Sequence, residues 1–249
     1  MPPLDVFAAL EPSASGRGDL ADLNARYAGL SAEDIIALSV ERLFGGKVAS
    51  VSSFGSESAV LLHILAKVDP TVPVLFLDTG RLFAETLAYR TELVARLGLR
   101  DVRTITPDPD RLAALDPSKG LWMTNPDLCC RIRKTEPLAR AIKGFDAWFT
   151  GRKRFQSSTR AGLSTFEAEN GQVKINPLAD WSATDLITYA EEHDLPPHPL
   201  VGKGYPSIGC VPCTDRVLPG EDQRAGRWRG TGKIECGIHL GLEADGSGI

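Results

Sequence analysis

The sequence predicts an α/β fold built on a mostly parallel sheet flanked by helices, and three observations carry that expectation. Segments that read as short strands recur at residues 47–53, 73–77, 101–106 and 146–150. Helical stretches with recognisable stops separate the first three runs. The second run, Pro73-Val74-Leu75-Phe76-Leu77, is continuously apolar instead of alternating, as a strand covered on both faces requires. Strand–helix alternation of this kind gives a parallel sheet with right-handed crossovers. With 249 residues, one large α/β domain over residues 21–230 is favoured over two smaller ones.

Each element has a local reason. Ser31-Ala32-Glu33-Asp34 resembles a capping box and opens a helix to about residue 44, stopped by Gly45-Gly46. A strand over 47–53 leads through a tight loop at 54–58 into a helix over 59–67. The strand over 73–77 ends at Asp78-Thr79-Gly80, and a helix over 83–97 stops at Gly98. A third strand spans 101–106. Pro126 can begin a helix, which puts Cys129 and Cys130 in its first turn or just before it. A fourth strand over 146–150 opens into a polar loop over 151–160. Segments 165–168 and 173–176 flank Asn170-Gly171, a strong hairpin signal, and 182–193 is a capped amphipathic helix. Residues 1–20 are expected to be a loose N-terminal segment, and 231–249 a flexible C-terminal tail.

Composition narrows the chemistry. The N-terminus lacks a basic region followed by an apolar run, and no apolar stretch is long enough to span a bilayer, so a cytoplasmic chain is expected. Five cysteines, an odd number, argue against a disulfide framework and for metal or catalysis. The net charge of −4 conceals an asymmetry. Between Arg131 and Arg160 there are nine Lys/Arg and two acids; between Arg224 and Lys233 there are four more cations and no acid. Positive charge concentrated in an acidic protein suits a small, highly charged anion and not broad nucleic-acid binding.

Cys129-Cys130 is half of a donor set whose other half is Cys210-Val211-Pro212-Cys213. Four thiolates suit a tetrahedral zinc or an iron–sulfur cluster; spacing does not separate the two, although an adjacent pair is unusual for a zinc knuckle. The fifth, Cys236, lies among glycines with Lys233 and His239 nearby, a setting that favours a reactive thiolate on a movable segment. Ser52, Ser53, Gly55 and Ser56 follow the first strand and open a helix, where backbone N–H groups and hydroxyls can receive a phosphate or form a plain tight turn. Asp78, Thr79 and Gly80 end the neighbouring strand at the same rim. Four cations crowd into residues 152–160, including Arg152 and Arg160; that crowding is costly without an anion, unless the loop is simply solvated. Arg224 and Arg227 form a second cationic group, and Lys134 follows the cysteine pair. His63, His193 and His198 read as structural.

Together, Cys129-Cys130, Cys210-x-x-Cys213, Gly151-Arg152-Lys153-Arg154-Phe155-Gln156-Ser157, Leu77-Asp78-Thr79-Gly80-Arg81 and Glu235-Cys236-Gly237-Ile238-His239 resemble the assimilatory adenylyl-sulfate (APS) reductases of bacteria, within the wider APS/PAPS reductase family. The likeness runs from about residue 47 to 240. It implies an adenine-nucleotide α-hydrolase-like fold and a [4Fe–4S] cluster on Cys129, Cys130, Cys210 and Cys213. It also implies attack by Cys236 on the sulfur of APS, AMP as leaving group, an S-sulfocysteine intermediate, and sulfite released by reduced thioredoxin or a similar external thiol reductant. By matching position, Lys134, Arg152, Arg160, Arg224 and Arg227 would hold phosphate and sulfate. Ser52, Ser53, Gly55 and Ser56, with Asp78, Thr79 and Gly80, would face the nucleotide, and His239 would belong to the catalytic tail. Neither nucleic acid nor membrane is an expected partner, and a homo-oligomer is compatible with this reading.

The chain departs from the ATP-cleaving relatives, which carry Ser-Gly-Gly-x-Asp-Ser where this one has Ser53-Phe54-Gly55-Ser56-Glu57-Ser58. The alternatives are a PAPS or dual-substrate reductase, an ATP-dependent tRNA-thiolating enzyme, and a non-catalytic zinc module. The second lacks a broad basic face here; iron and sulfide content separates the third.

Overall fold

The structure is a computed structural model and describes residues 20–231, 233 and 235–239. The loose segment expected over 1–20 and the tail expected over 231–249 therefore lie largely outside the described residues. Among the described residues, no helix is long and apolar enough to cross a membrane.

Six strands form one sheet in the order β3-β2-β1-β4-β6-β5. They are β1 (Val48–Ser52), β2 (Val74–Leu77), β3 (Val102–Ile105), β4 (Ala147–Phe149), β5 (Phe166–Glu169) and β6 (Gln172–Ile175). All neighbours are parallel except β5, which pairs antiparallel with β6 at one edge. That edge is the expected hairpin: Asn170 and Gly171 both take positive φ (50° and 78°), as a two-residue turn matched to strand twist demands.

The continuous apolar runs are explained by two hydrophobic faces. Val48, Val74, Phe76, Ala147 and Phe149 pack on one side of the sheet, and Ala49, Leu75, Leu77 and Trp148 on the other. Successive side chains of a strand point to opposite faces, so strands covered on both sides have no polar face to show. The first face is covered by α2 (Ala32–Leu38), α3 (Ser58–Val68) and α4 (Ala84–Leu97), which bury Ile36, Leu62, Leu65 and Leu93. α1 (Leu20–Arg26) lies beside β5, where Asn24 Nδ2 donates to the Phe166 carbonyl at 2.9 Å. Gly98 closes α4 in the left-handed conformation, and Ser182 and Asp185 form a reciprocal capping box at α9 (Ala183–Glu192).

Between β3 and β4 the chain forms α5 (Pro109–Leu115), α6 (Leu121–Thr124), α7 (Pro126–Cys130), a wide turn over Arg131–Thr135, and α8 (Glu136–Ala141). Pro126 does start α7, but Cys129 and Cys130 close that helix instead of opening it. The Asn125 side chain caps the Leu128 N–H one turn earlier, which displaces the pair toward the wide turn.

β1 has β2 on one side and β4 on the other, although β4 follows β3 in the chain. That reversal creates the crevice at the strand carboxyl ends where α/β sheets of this kind hold ligands.

Candidate active site at the carboxyl rim of the sheet

The loops after β1, β2 and β4 meet at this crevice around a cavity of about 220 Å³. The β1 loop contributes Ser52, Ser53, Gly55 and Ser56, and the β2 end contributes Thr79. Phe54 turns the loop with a positive φ of 48°, its buried ring set edge-on to Phe76 at 5.4 Å. The Ser52 hydroxyl accepts from the Phe54 N–H at 3.1 Å, and the Ser56 hydroxyl donates to the Pro206 carbonyl at 2.7 Å. The loop is thereby tied to segment 206–209, and α3 points its N-terminus at the cavity with no side-chain cap. Unpaired N–H groups and the positive end of a helix dipole favour an anion there.

The β4 loop brings Arg152, Lys153, Gln156 and Arg160; the wide turn brings Lys134; segment 224–228 brings Arg224, Arg227 and Trp228. Residues 235–238 close the remaining side with Glu235, Cys236 and Ile238. Asp78 and Gly80 lie outside the lining, because Asp78 Oδ1 turns back to accept the Gly80 N–H at 2.9 Å. The His239 side chain is outside the described residues.

Most of the loop's charge is already neutralised within the fold. Arg152 pairs with Glu167, Lys153 with Glu57, Arg154 with Asp180, and Arg160 with Glu235. Crowded cations were expected to need an external anion; here carboxylates of the chain itself serve. Arg227 and Lys134 differ. Neither has a carboxylate partner among the described residues. Burial, then Arg224, pushes the Arg227 guanidinium below its ordinary pKa, while Cys236, Cys210 and Cys213 pull the other way. Burial also opposes the Lys134 charge, but Cys210, Cys236 and Cys130 outweigh it and raise its pKa.

Arg227 is held by shape. Its Nε donates to the Cys213 carbonyl at 3.3 Å, Nη1 to the Ser207 hydroxyl at 3.4 Å, and the guanidinium stacks 4.5 Å from the centre of the Trp228 ring. A side chain at Gly209 would run into that guanidinium, and one at Gly226 into the Asp215 carbonyl. Trp228 itself takes a positive φ of 49°, an uncommon conformation for a bulky residue, and its buried indole N–H has no partner among the described residues.

Cys236 is buried. The neighbouring Cys130, then Lys134, the Ile238 N–H and Arg227, lower the Cys236 thiol below its ordinary pKa against the opposing effect of burial. A lowered pKa favours the thiolate, the reactive form.

Cys129, Cys130, Cys210 and Cys213 line a second, smaller cavity with Arg81, Arg133 and Lys134. None forms a disulfide. Cys210 is fixed beside the β2 rim by an antiparallel bridge to Leu82, and its Sγ lies 3.2 Å from Thr79 Oγ1. Beneath the cavity, Arg133 donates to the Thr79 carbonyl and to the buried Asp116 carboxylate, both at 2.8 Å. Among the described residues, no three His, Cys, Asp or Glu side chains form a group that could hold one metal ion, and the four cysteines share the lining of this one cavity.

Sequence reasoning missed Glu57, Lys153, Trp228 and Glu235 in the lining. Glu235 could have been suspected from its place beside Cys236. Trp228 carried the only aromatic signal inside the second cationic group.

A mostly parallel sheet flanked by helices, with a hydroxyl-rich loop and a cationic cavity at its switch point, is the adenine-nucleotide α-hydrolase-like fold. Solved structures agree on the fold: FMN adenylyltransferase from Candida glabrata superposes over 85% of this chain and 71% of its own (TM-score 0.52, 13% identity). Phosphoadenylyl-sulfate (PAPS) reductase from Candida auris, solved as a phosphate complex, superposes over 83% of this chain and all of its own (TM-score 0.69, 27% identity). Residues 47–216 match the phosphoadenosine phosphosulfate reductase domain. Adenosine 5'-phosphosulfate reductase of Mesorhizobium japonicum is 52% identical over 97% of this chain and 94% of its own. Phosphoadenosine 5'-phosphosulfate reductase of Gloeobacter violaceus is 42% identical over 88% and 93%. The chain belongs to the bacterial APS/PAPS reductase family, oxidoreductases acting on sulfur.

Proposed function

We propose that this chain reduces APS to sulfite and AMP through an S-sulfocysteine on Cys236, as part of sulfate assimilation in the cytoplasm. The observation that carries the reading is the placement of the Cys236 thiol in a cationic cavity beside Lys134 and Arg227. The Cys236 thiolate attacks the sulfur of APS; the S–O bond to phosphate breaks, and its electron pair leaves with AMP. Lys134 and Arg227 neutralise the charge that develops on the departing phosphate, and the β1 loop with the α3 N-terminus receives the nucleotide. A thiolate of an external dithiol, of the thioredoxin kind, then attacks Cys236 Sγ and expels sulfite. The second thiol of that reductant resolves the mixed disulfide, returning Cys236 and leaving the reductant oxidised. The external reductant is needed because the other four cysteines would be committed to the cluster, which leaves no second free thiol among the five.

Cys129, Cys130, Cys210 and Cys213 would hold a [4Fe–4S] cluster, since four cysteines lining one small cavity supply the four thiolates it takes and an adjacent pair is unusual for a zinc knuckle. Bound there, it supplies a structural tie between α7 and segment 210–213 and a local electrostatic field. Arg133, Arg81 and Lys134 supply the positive charge that offsets four thiolates.

An anaerobic sulfite-release assay with APS and PAPS in parallel, with and without thioredoxin, tests the reading. Without reductant, mass spectrometry should find one SO3 adduct, on Cys236. Cys236→Ser should retain iron and form no sulfite; sulfite from that variant rules the mechanism out.

A further inference from the structure

Two acidic residues line the cavity, Glu57 and Glu235; Glu235 is the one next to Cys236, and its bonds run inward to the protein. Its Oε2 accepts from Arg160 at 2.9 Å through Nε and 2.8 Å through Nη2. Its Oε1 accepts from Arg224 Nη2 at 3.2 Å and from the N–H of Cys236 at 2.9 Å. Glu235 and Arg160 are both buried, at 6% and 8% exposure. A buried carboxylate bridging two guanidinium groups is geometrically demanding and strong when satisfied. Burial would raise the Glu235 carboxyl, but Arg160, Arg224 and the Cys236 N–H hold it below its ordinary value, so it is charged in place.

We propose that Glu235 is the positioning residue of the nucleophile. Clamped by Arg160 and Arg224, it fixes the peptide that carries Cys236. The proposal rests on the reading of Cys236 as nucleophile and adds to it the group that holds the thiol in place. Neighbouring contacts fit a docked segment. Lys233 pairs with Asp127 on α7, Ile238 packs on the face formed by Leu138, Ile142 and Trp148, and a side chain at Gly237 would press on Thr135 Oγ1 at 3.1 Å.

The test labels Cys236 of the iron-loaded enzyme with iodoacetamide, a small uncharged reagent, and maps the product by mass spectrometry. Glu235→Gln and Arg224→Gln change local charge in opposite directions. If charge alone governed the thiol, the first would label faster and the second more slowly. If the clamp holds the tail, both should label about ten-fold faster, and the double variant no faster than either single one. Opposite responses, or no change in either, overturn the proposal. In single turnover with APS and no reductant, Glu235→Gln should form the Cys236 adduct about ten-fold more slowly, and an unchanged rate counts against positioning. Two variants are used so that misfolding of one, read from lost iron and altered circular dichroism, leaves the other to decide. Labelling requires no chemistry on APS, so the clamp can fail while Cys236 remains the nucleophile, and the reverse outcome is equally visible.

Discussion

Two groups of cations line the same cavity and are built differently. In the loop over 152–160 each cation has a carboxylate supplied by the fold: Glu167, Glu57, Asp180 or Glu235. Lys134 and Arg227 have none among the described residues; Arg227 is held by the Cys213 carbonyl, the Ser207 hydroxyl and the Trp228 ring, and Lys134 lies in the field of nearby thiols. Paired charges make a frame, because removing one partner strands the other in a medium that solvates it poorly. Charges without an internal partner leave their field for a ligand. The contrast separates positive charge that holds the loop together from positive charge available for chemistry.

Four substitutions test the contrast. Lys134→Ala should slow formation of the Cys236 adduct by about 10²–10³-fold, the scale for removing one group that stabilises developing charge. A single-turnover rate near the parent's would erase the distinction. Lys153→Met strands the Glu57 carboxylate and should cost about 3 kcal/mol of stability, read as a lower denaturant midpoint at unchanged slope. Adding Glu57→Gln should recover much of that loss. For Arg227→Ala, KM should rise about 10–50-fold with a smaller change in kcat, and an unchanged KM would contradict its role. Arg154→Ala removes an exposed pair with Asp180 and should change stability by less than about 1 kcal/mol and leave turnover near the parent's.

Much of the frame was legible because it is local. Apolar runs set β1, β2, β3 and β4 within a residue or two, Asn170-Gly171 set the hairpin, and Gly98 and Ser182 set helix ends. The two cysteine pairs and Cys236 were visible as donors, and the structure places four of them around one small cavity with the fifth beside it. The neutralised loop was not legible. Its carboxylates come from 96, 15, 26 and 75 positions away for Lys153, Arg152, Arg154 and Arg160, and nothing in a local window announces such pairs. α5 and α6 also escaped notice, being short and without a buried stripe to give a helical period. The inward turn of Asp78 toward Gly80 was equally hidden, since an Asp-x-Gly rim suits either a ligand or its own backbone.

Gly209 carries no charge and makes no side-chain contact, yet Arg227 lies where its β-carbon would be. A single added methyl group would unseat the guanidinium from outside the cationic segment altogether. In a random mutational survey, alanine at 209 would therefore mimic deletion of an arginine eighteen residues away. Tolerance to substitution on this surface is governed by vacant volume as much as by chemical type.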